Sequence, residues 1–176
     1  EDKETVAPVT VFGGSADVYY KYDFSKQQNG LTSFTNSQDS FELGMASVQA
    51  GHTFGKAAVF VDLGFGKRAG EFSYNETTDK DINAKFLIKQ LFFTYQVTDK
   101  FKFVAGSFGT HIGYEVLDAV GNKNYSMSYA FSYGPFFHTG IKAEYALSGK
   151  SSFMIGIANP TDYVTTASAS KVVIAQ

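Results

Sequence analysis

The chain has 176 residues, a net charge of −2, no cysteine and no tryptophan, yet 16% of its residues are aromatic. Without cysteine it can form neither a disulfide scaffold nor a cysteine-ligated zinc site, and its near-neutral charge gives no electrostatic footprint for nucleic acid. The longest apolar run, Ala57 to Val61, is far shorter than the about 20 residues that a membrane-spanning helix needs. The length suits one folded domain, and the aromatic content excludes a disordered chain.

The first predicted element is a strand over Phe12–Phe24, because apolar and polar residues alternate there with a period of two. One row holds Val18, Tyr20 and other apolar residues, and the opposite row holds Asp17 and Lys21. Side chains of a strand alternate between its two faces, so this strand has one apolar and one charged face.

The next predicted strand, Phe41–Phe54, changes its apolar row part of the way along, and a one-residue β-bulge near Ala46 or Ser47 would explain the change. The strand over Phe86–Val97 carries Lys89 in its apolar row, where it could snorkel towards a membrane interface. The remaining predicted strands alternate more regularly and cover Ala57–Gly66, Phe101–Phe108, Phe136–Leu147, Ser151–Ala158 and Lys171–Gln176.

Long and short connections follow one another in strict order between these eight strands. The short ones are Gly55-Lys56, Thr98–Lys100 and Ser148–Lys150, and every other connection is a longer polar or aromatic segment. A transmembrane antiparallel up-and-down β-barrel has this order, since short periplasmic turns close one end and longer loops close the other. A soluble antiparallel barrel or sandwich, with its apolar rows turned inward, is the alternative.

The charged rows predict which residues would line the lumen of such a barrel. Five residues follow directly from the alternation: Asp17, Lys21, Asp62, Lys142 and Glu144. Their mixed signs predict a weakly selective path for small polar solutes, which needs binding that is weak enough to let each solute leave.

The connection from Gly109 to Pro135 is too long and too aromatic for an ordinary solvated loop. A continuous strand from Tyr125 to Leu147 would exceed the roughly 9–11 residues that cross a membrane, so part of this segment must rise above the membrane or fold back. One hypothesis is that Gly109 to Asn124 folds into the barrel and narrows it. The residues near this constriction would be His111, Tyr114, Glu115 and Asp118. The alternative is an external extension that packs on itself.

Three stretches carry a family resemblance: Ala105–Glu115, Gly121–Ser126 and Tyr133–Gly140. In these stretches the chain resembles the outer-membrane β-barrel porins of the OmpL-like "porin 2" family of Gram-negative bacteria. A weaker resemblance to the same family extends from about Ser15 to the C-terminus. The resemblance implies an outer-membrane barrel of porin type and assigns no functional residues. Members of that family are about twice as long, so we expect the N-terminal half of a larger barrel; a complete eight-stranded barrel is the alternative. Residues 1–10 would be a periplasmic lead and residues 11–176 barrel strands.

The expected function is passive diffusion of small hydrophilic solutes, in a mature chain of the bacterial outer membrane whose signal peptide has been removed. The expected partners are outer-membrane lipid, small polar solutes and an oligomer or membrane complex, and nucleic acid is not one of them. A scaffolding barrel without conductance is the alternative. An enzyme is not expected, since no serine lies in a nucleophile-elbow sequence. The three histidines are too scattered to suggest a metal site, and no cofactor is expected.

Overall fold

The part of the chain that the structure describes folds into eight β-strands with little helix. The computed structural model describes residues 7–28, 30, 33–72, 86–167 and 169–176. The strands are β1 Val9–Lys21, β2 Ser40–Phe54, β3 Ala57–Phe65, β4 Phe86–Thr98, β5 Phe101–Gly109, β6 Phe137–Ser148, β7 Ser151–Ala158 and β8 Val172–Ala175. Among these residues, two short helices, α1 Lys67–Phe72 and α2 Tyr129–Ser132, and one 3₁₀ turn at Ala119–Gly121 lie in the connections.

All eight strands form one sheet in the order of the chain, and each neighbouring pair is antiparallel. This up-and-down arrangement confirms the predicted all-β class and every predicted strand. β1 begins at Val9, which places its first residues inside the stretch predicted as a lead. Within the described residues β1 and β8 do not pair with each other, so the sheet is open.

The three short turns all lie at one end of the sheet. They join β2 to β3, β4 to β5 and β6 to β7, each through two residues between the strands. In the first of them Gly55 has a φ of +59°, a left-handed conformation that glycine adopts without a steric penalty. The longer connections meet at the opposite end, so the structure keeps the predicted alternation of short and long.

The register shifts at four places: two lie beside short turns, at Gln96/Thr98 and Ala146/Ser148, and two are bulges nearer the long connections. Asp17 pairs with Met45 and Val18 with Leu43, so Gly44 is an extra residue in β2. The predicted bulge is therefore confirmed, slightly earlier in the strand than expected. A second bulge lies in β4, where the register skips Lys89.

The two faces of the sheet differ as the alternation predicted. Large apolar side chains are exposed along one face, including Val18, Phe93, Ile141, Ile155 and Ile157. The opposite face carries the charged rows and is covered in part by α1 and by the connection between β5 and β6. We call this charged side of the sheet the polar face.

The long connections share a small hydrophobic core at their end of the sheet. Its buried members come from three connections and the first residue of β6: Phe34, Phe72, Met127, Phe136 and Phe137. The residues after Tyr125 do not continue β6 outward; they turn into α2, whose cap is Ser128. The segment therefore folds back, which was one of the two expected arrangements.

Candidate functional site

Five charged side chains meet on the polar face, near the long connections. Three are carboxylates and two are cations, and they come from β1, β3, β4, α1 and the β5–β6 connection: Asp17, Asp62, Lys89, Arg68 and Asp118. We call this group the ionic cluster. Its members lie far apart in the chain, so the antiparallel order of the sheet and the inward fold of the connection bring them together.

The first half of the cluster is centred on Arg68, which is the only arginine of the sequence and is 1% exposed. Its Nη1 and Nη2 donate to the two carboxylate oxygens of Asp17 at 3.0 and 3.3 Å. The Tyr125 hydroxyl donates to the same carboxylate, and the guanidinium lies 5.1 Å from the centre of the Tyr125 ring. A planar guanidinium suits this two-oxygen contact better than an ammonium would.

The bulge at Gly44 makes room for this contact. A Cβ atom at that position would lie 1.8 Å from Asp17 Oδ2 and 2.6 Å from the Tyr125 hydroxyl. A larger residue there would force the carboxylate that holds Arg68 to shift, which glycine avoids.

The second half of the cluster is centred on Lys89, which the β4 bulge turns to the polar face. Its Nζ lies 2.9 Å from Asp62 Oδ1 and 2.7 Å from Asp118 Oδ2, and it donates to Ser47 Oγ at 2.8 Å. Ser47 Oγ in turn donates to Asp118 Oδ1 at 2.5 Å. The interpretation of Lys89 as a snorkelling residue was wrong: the bulge moves it from the apolar row to a buried ion pair.

Burial makes these contacts costly to break. Asp62 is 2% exposed and Lys89 6% exposed, and a buried charge that loses its partner destabilises a protein by about 3–5 kcal/mol. Burial alone would raise the pKa of Asp118, but hydrogen bonds from Lys89 and Ser47 and the Lys89 charge outweigh it and hold that pKa below its usual value. Burial and the hydrogen bond to Asp17 raise the pKa of Tyr125, so this hydroxyl remains a donor.

Charged residues of the polar face line a smaller and a larger cavity. The smaller cavity, of about 120 Å³, is lined by Asp62, Lys89, Glu115 and Asp118 together with apolar residues of the small hydrophobic core that the long connections share. The larger, of about 340 Å³, lies at the end with the short turns. Lys102, Lys142 and Glu144 line it, and Glu144 accepts from both lysines at 2.9 and 2.8 Å.

The five residues predicted to line a lumen all lie on the polar face, in three settings. Asp17 and Asp62 belong to the ionic cluster, where partners surround them. Lys142 and Glu144 line the larger cavity. The Nζ of Lys21 is enclosed and has no hydrogen-bond partner among the described residues. Their role as pore-lining residues stays a prediction.

The four residues predicted near a constriction are not all brought together. Asp118 docks on the polar face. Glu115 lines the smaller cavity and accepts from the Ser128 backbone N–H at 3.0 Å. The His111 ring is 5.5 Å from that of His138, and Tyr114 is 72% exposed. Whether they narrow a solute path stays a prediction.

Three residues of the site were not singled out by the sequence: Arg68, Lys89 as an ion-pair partner, and Tyr125. Two of them left a signal, since Arg68 is the only arginine and Lys89 interrupts an apolar row. Within the part of the chain that the structure describes, no group of three or more His, Asp or Glu side chains could hold a metal ion. No helix among the same residues has the length and apolar character to span a bilayer.

The fold and the site define an all-β protein of up-and-down antiparallel strands, in which an exposed apolar face is separated from an ion-paired polar face. The chain belongs to the family described as "Putative beta-barrel porin-2, OmpL-like", which it matches over residues 10–176. This confirms the resemblance found in the sequence. No curated protein and no solved structure matches the chain significantly.

Proposed function

We propose that this protein forms part or all of an outer-membrane β-barrel that lets small hydrophilic solutes diffuse passively. The observation that carries the proposal is the division of the sheet into an exposed apolar face and a charged polar face. Large exposed apolar surfaces mark contact with lipid or protein, and a barrel that spans a membrane turns its apolar rows to lipid and its polar rows to the lumen. Membership in a barrel porin family supports the same function.

The proposed partners are outer-membrane lipid on the apolar face and small polar solutes on the polar face. The mechanism needs no catalysis, no cofactor and no nucleic acid. Charged side chains of both signs line the polar face, so solutes meet weak contacts that do not trap them. The mixture of Lys102, Lys142 and Glu144 at the larger cavity favours weak selectivity between anions and cations.

Planar-bilayer recording tests this proposal. The purified full-length protein, refolded in detergent, is expected to give stepwise conductance increases, with a reversal potential near zero under a salt gradient. Heat-denatured protein at the same concentration is the control and should give none. A refolded protein without conductance steps would contradict the channel and would favour a barrel that scaffolds other membrane subunits.

A further inference from the structure

The part of the β5–β6 connection that reaches the polar face is residues 117–125, which we call the docked segment. Asn122 ties it to the residue just before it: the Asn122 side chain accepts from the Val116 N–H at 2.9 Å and donates to the Val116 carbonyl at 2.8 Å. Ala119 within it is buried at 6% exposure. The docked segment is thus a compact unit that rests on the sheet.

The polar contacts that the docked segment makes with the sheet and with α1 are concentrated at three of its residues. Arg68 Nη1 donates to the Leu117 carbonyl at 3.4 Å, and Lys89 and Ser47 donate to the Asp118 carboxylate. The Tyr125 hydroxyl donates to Asp17, which Arg68 also holds. Each of these three residues depends directly or through one carboxylate on one of the two buried cations.

Two irregularities of the sheet make these contacts possible. The bulge of β4 is at Lys89 itself, and the bulge of β2 at Gly44 leaves the space that Asp17 and Tyr125 occupy. Bulges are used in sheets to redirect a side chain. Two bulges lie beside residues that contact the docked segment. The position of this segment is therefore specified by the polar face and does not follow from packing within the loop alone.

We propose that Lys89 and Arg68 are positioning residues that fasten the docked segment across the polar face, and that the segment so held limits the width of the solute path. This inference rests on the proposed channel function. It makes the segment a fixed constriction that is held by ion pairs with the polar face.

Lys89→Met tests the fastening, because methionine keeps the length of the side chain and removes the charge. Lys102→Met is the matched control: Lys102 also pairs with a carboxylate on the polar face, Glu144 at 2.9 Å, but is far from the docked segment. Since the chain has no cysteine, a single Ala119→Cys reports whether the segment is docked through its rate of maleimide labelling.

We expect Lys89→Met to speed labelling at Ala119→Cys by about a hundredfold, the effect of losing one buried ion-pair partner, and Lys102→Met to leave it unchanged. Single-channel conductance should rise on the order of twofold in Lys89→Met; Lys102 lines the larger cavity, so Lys102→Met is a control for the labelling rate alone. A cysteine at Ala158, 1% exposed in β7, should stay slowly labelled in every background and so shows that the sheet is intact.

If Lys89→Met does not refold, the triple variant Asp62→Asn/Lys89→Met/Asp118→Asn takes its place, since it leaves no buried charge unpaired. Unchanged labelling in the folded variant overturns the positioning role. Faster labelling with unchanged conductance, in a protein that conducts, overturns the constriction. A wild-type protein without conductance instead refutes the channel function, and the labelling rates still decide whether Lys89 fastens the segment.

Discussion

Gly44→Ala is expected to destabilise the protein through the Asp17 carboxylate that Arg68 holds. The new Cβ would lie 1.8 Å from Asp17 Oδ2, whereas an ordinary contact needs about 3.4 Å, so the carboxylate must retreat by about 1.6 Å. Oδ2 accepts from Arg68 Nη2 at 3.3 Å, so a shift of that size is expected to break the two-oxygen contact between Asp17 and Arg68. Because Arg68 is buried, we expect a loss of about 3 kcal/mol, at the lower end of the cost of an uncompensated buried charge.

Gly13→Ala is the matched control, because it lies in the neighbouring strand and its Cβ would meet the Gln49 side chain at 3.5 Å, an ordinary contact. We expect it to change the free energy of unfolding by less than about 0.5 kcal/mol. The assay is urea unfolding of the refolded protein, followed by far-UV circular dichroism because the chain has no tryptophan. Equal unfolding free energies for the two variants would refute the packing of Asp17 against Gly44.

Three further predictions follow from the site and the two faces. Arg68→Met should lower the free energy of unfolding by about 3–5 kcal/mol, since it leaves Asp17 unpaired. Acid should release the docked segment only as the pH falls through the lowered pKa of Asp118. The stabilisation by this carboxylate is complete above the ordinary pKa that Asp118 has in the unfolded chain, and it is lost as the pH falls below the pKa that Asp118 has in the folded protein. Hydrogen exchange of residues 116–125, corrected for its intrinsic pH dependence, follows this release. Ile141→Arg, in the exposed apolar row of β6, should cost about 2–4 kcal/mol in a lipid bilayer.

Each of these predictions has its own control. Lys67→Met removes the partly exposed ion pair in which Lys67 Nζ lies 3.6 Å from Glu42 Oε2. It should lower the free energy of unfolding by less than about 1 kcal/mol. An equally small loss for Arg68→Met would contradict the buried ion pair of Arg68 and Asp17. Asp118→Asn should abolish the part of the acid-induced release that depends on protonation of the Asp118 carboxylate. An unchanged pH dependence of hydrogen exchange would assign the release to other groups. Ile141→Leu should be nearly neutral, and an equally neutral Ile141→Arg would argue against lipid on that face.

The fold class could be predicted because it depends on local pattern. Alternation with a period of two sets which side chains share a face, and the short turns at Gly55-Lys56, 99–100 and 149–150 fix antiparallel neighbours. The β2 bulge could also be found, since an extra residue changes the apolar row of the strand itself. Its position at Gly44 depends on Asp17 and Tyr125, and neither is near it in the chain.

The sequence by itself determined the eight strands, their order of long and short connections and the separation of apolar from charged residues. Only the tertiary structure decided which charges pair: Arg68 with Asp17, and Lys89 with Asp62 and Asp118. The physical reason is that alternation is a property of neighbouring residues, whereas an ion pair needs two side chains to be placed by strand register, bulges and a folded connection. Lys89 shows the difference most clearly, because the same residue that interrupts an apolar row in the sequence is the buried centre of one half of the ionic cluster in the folded protein.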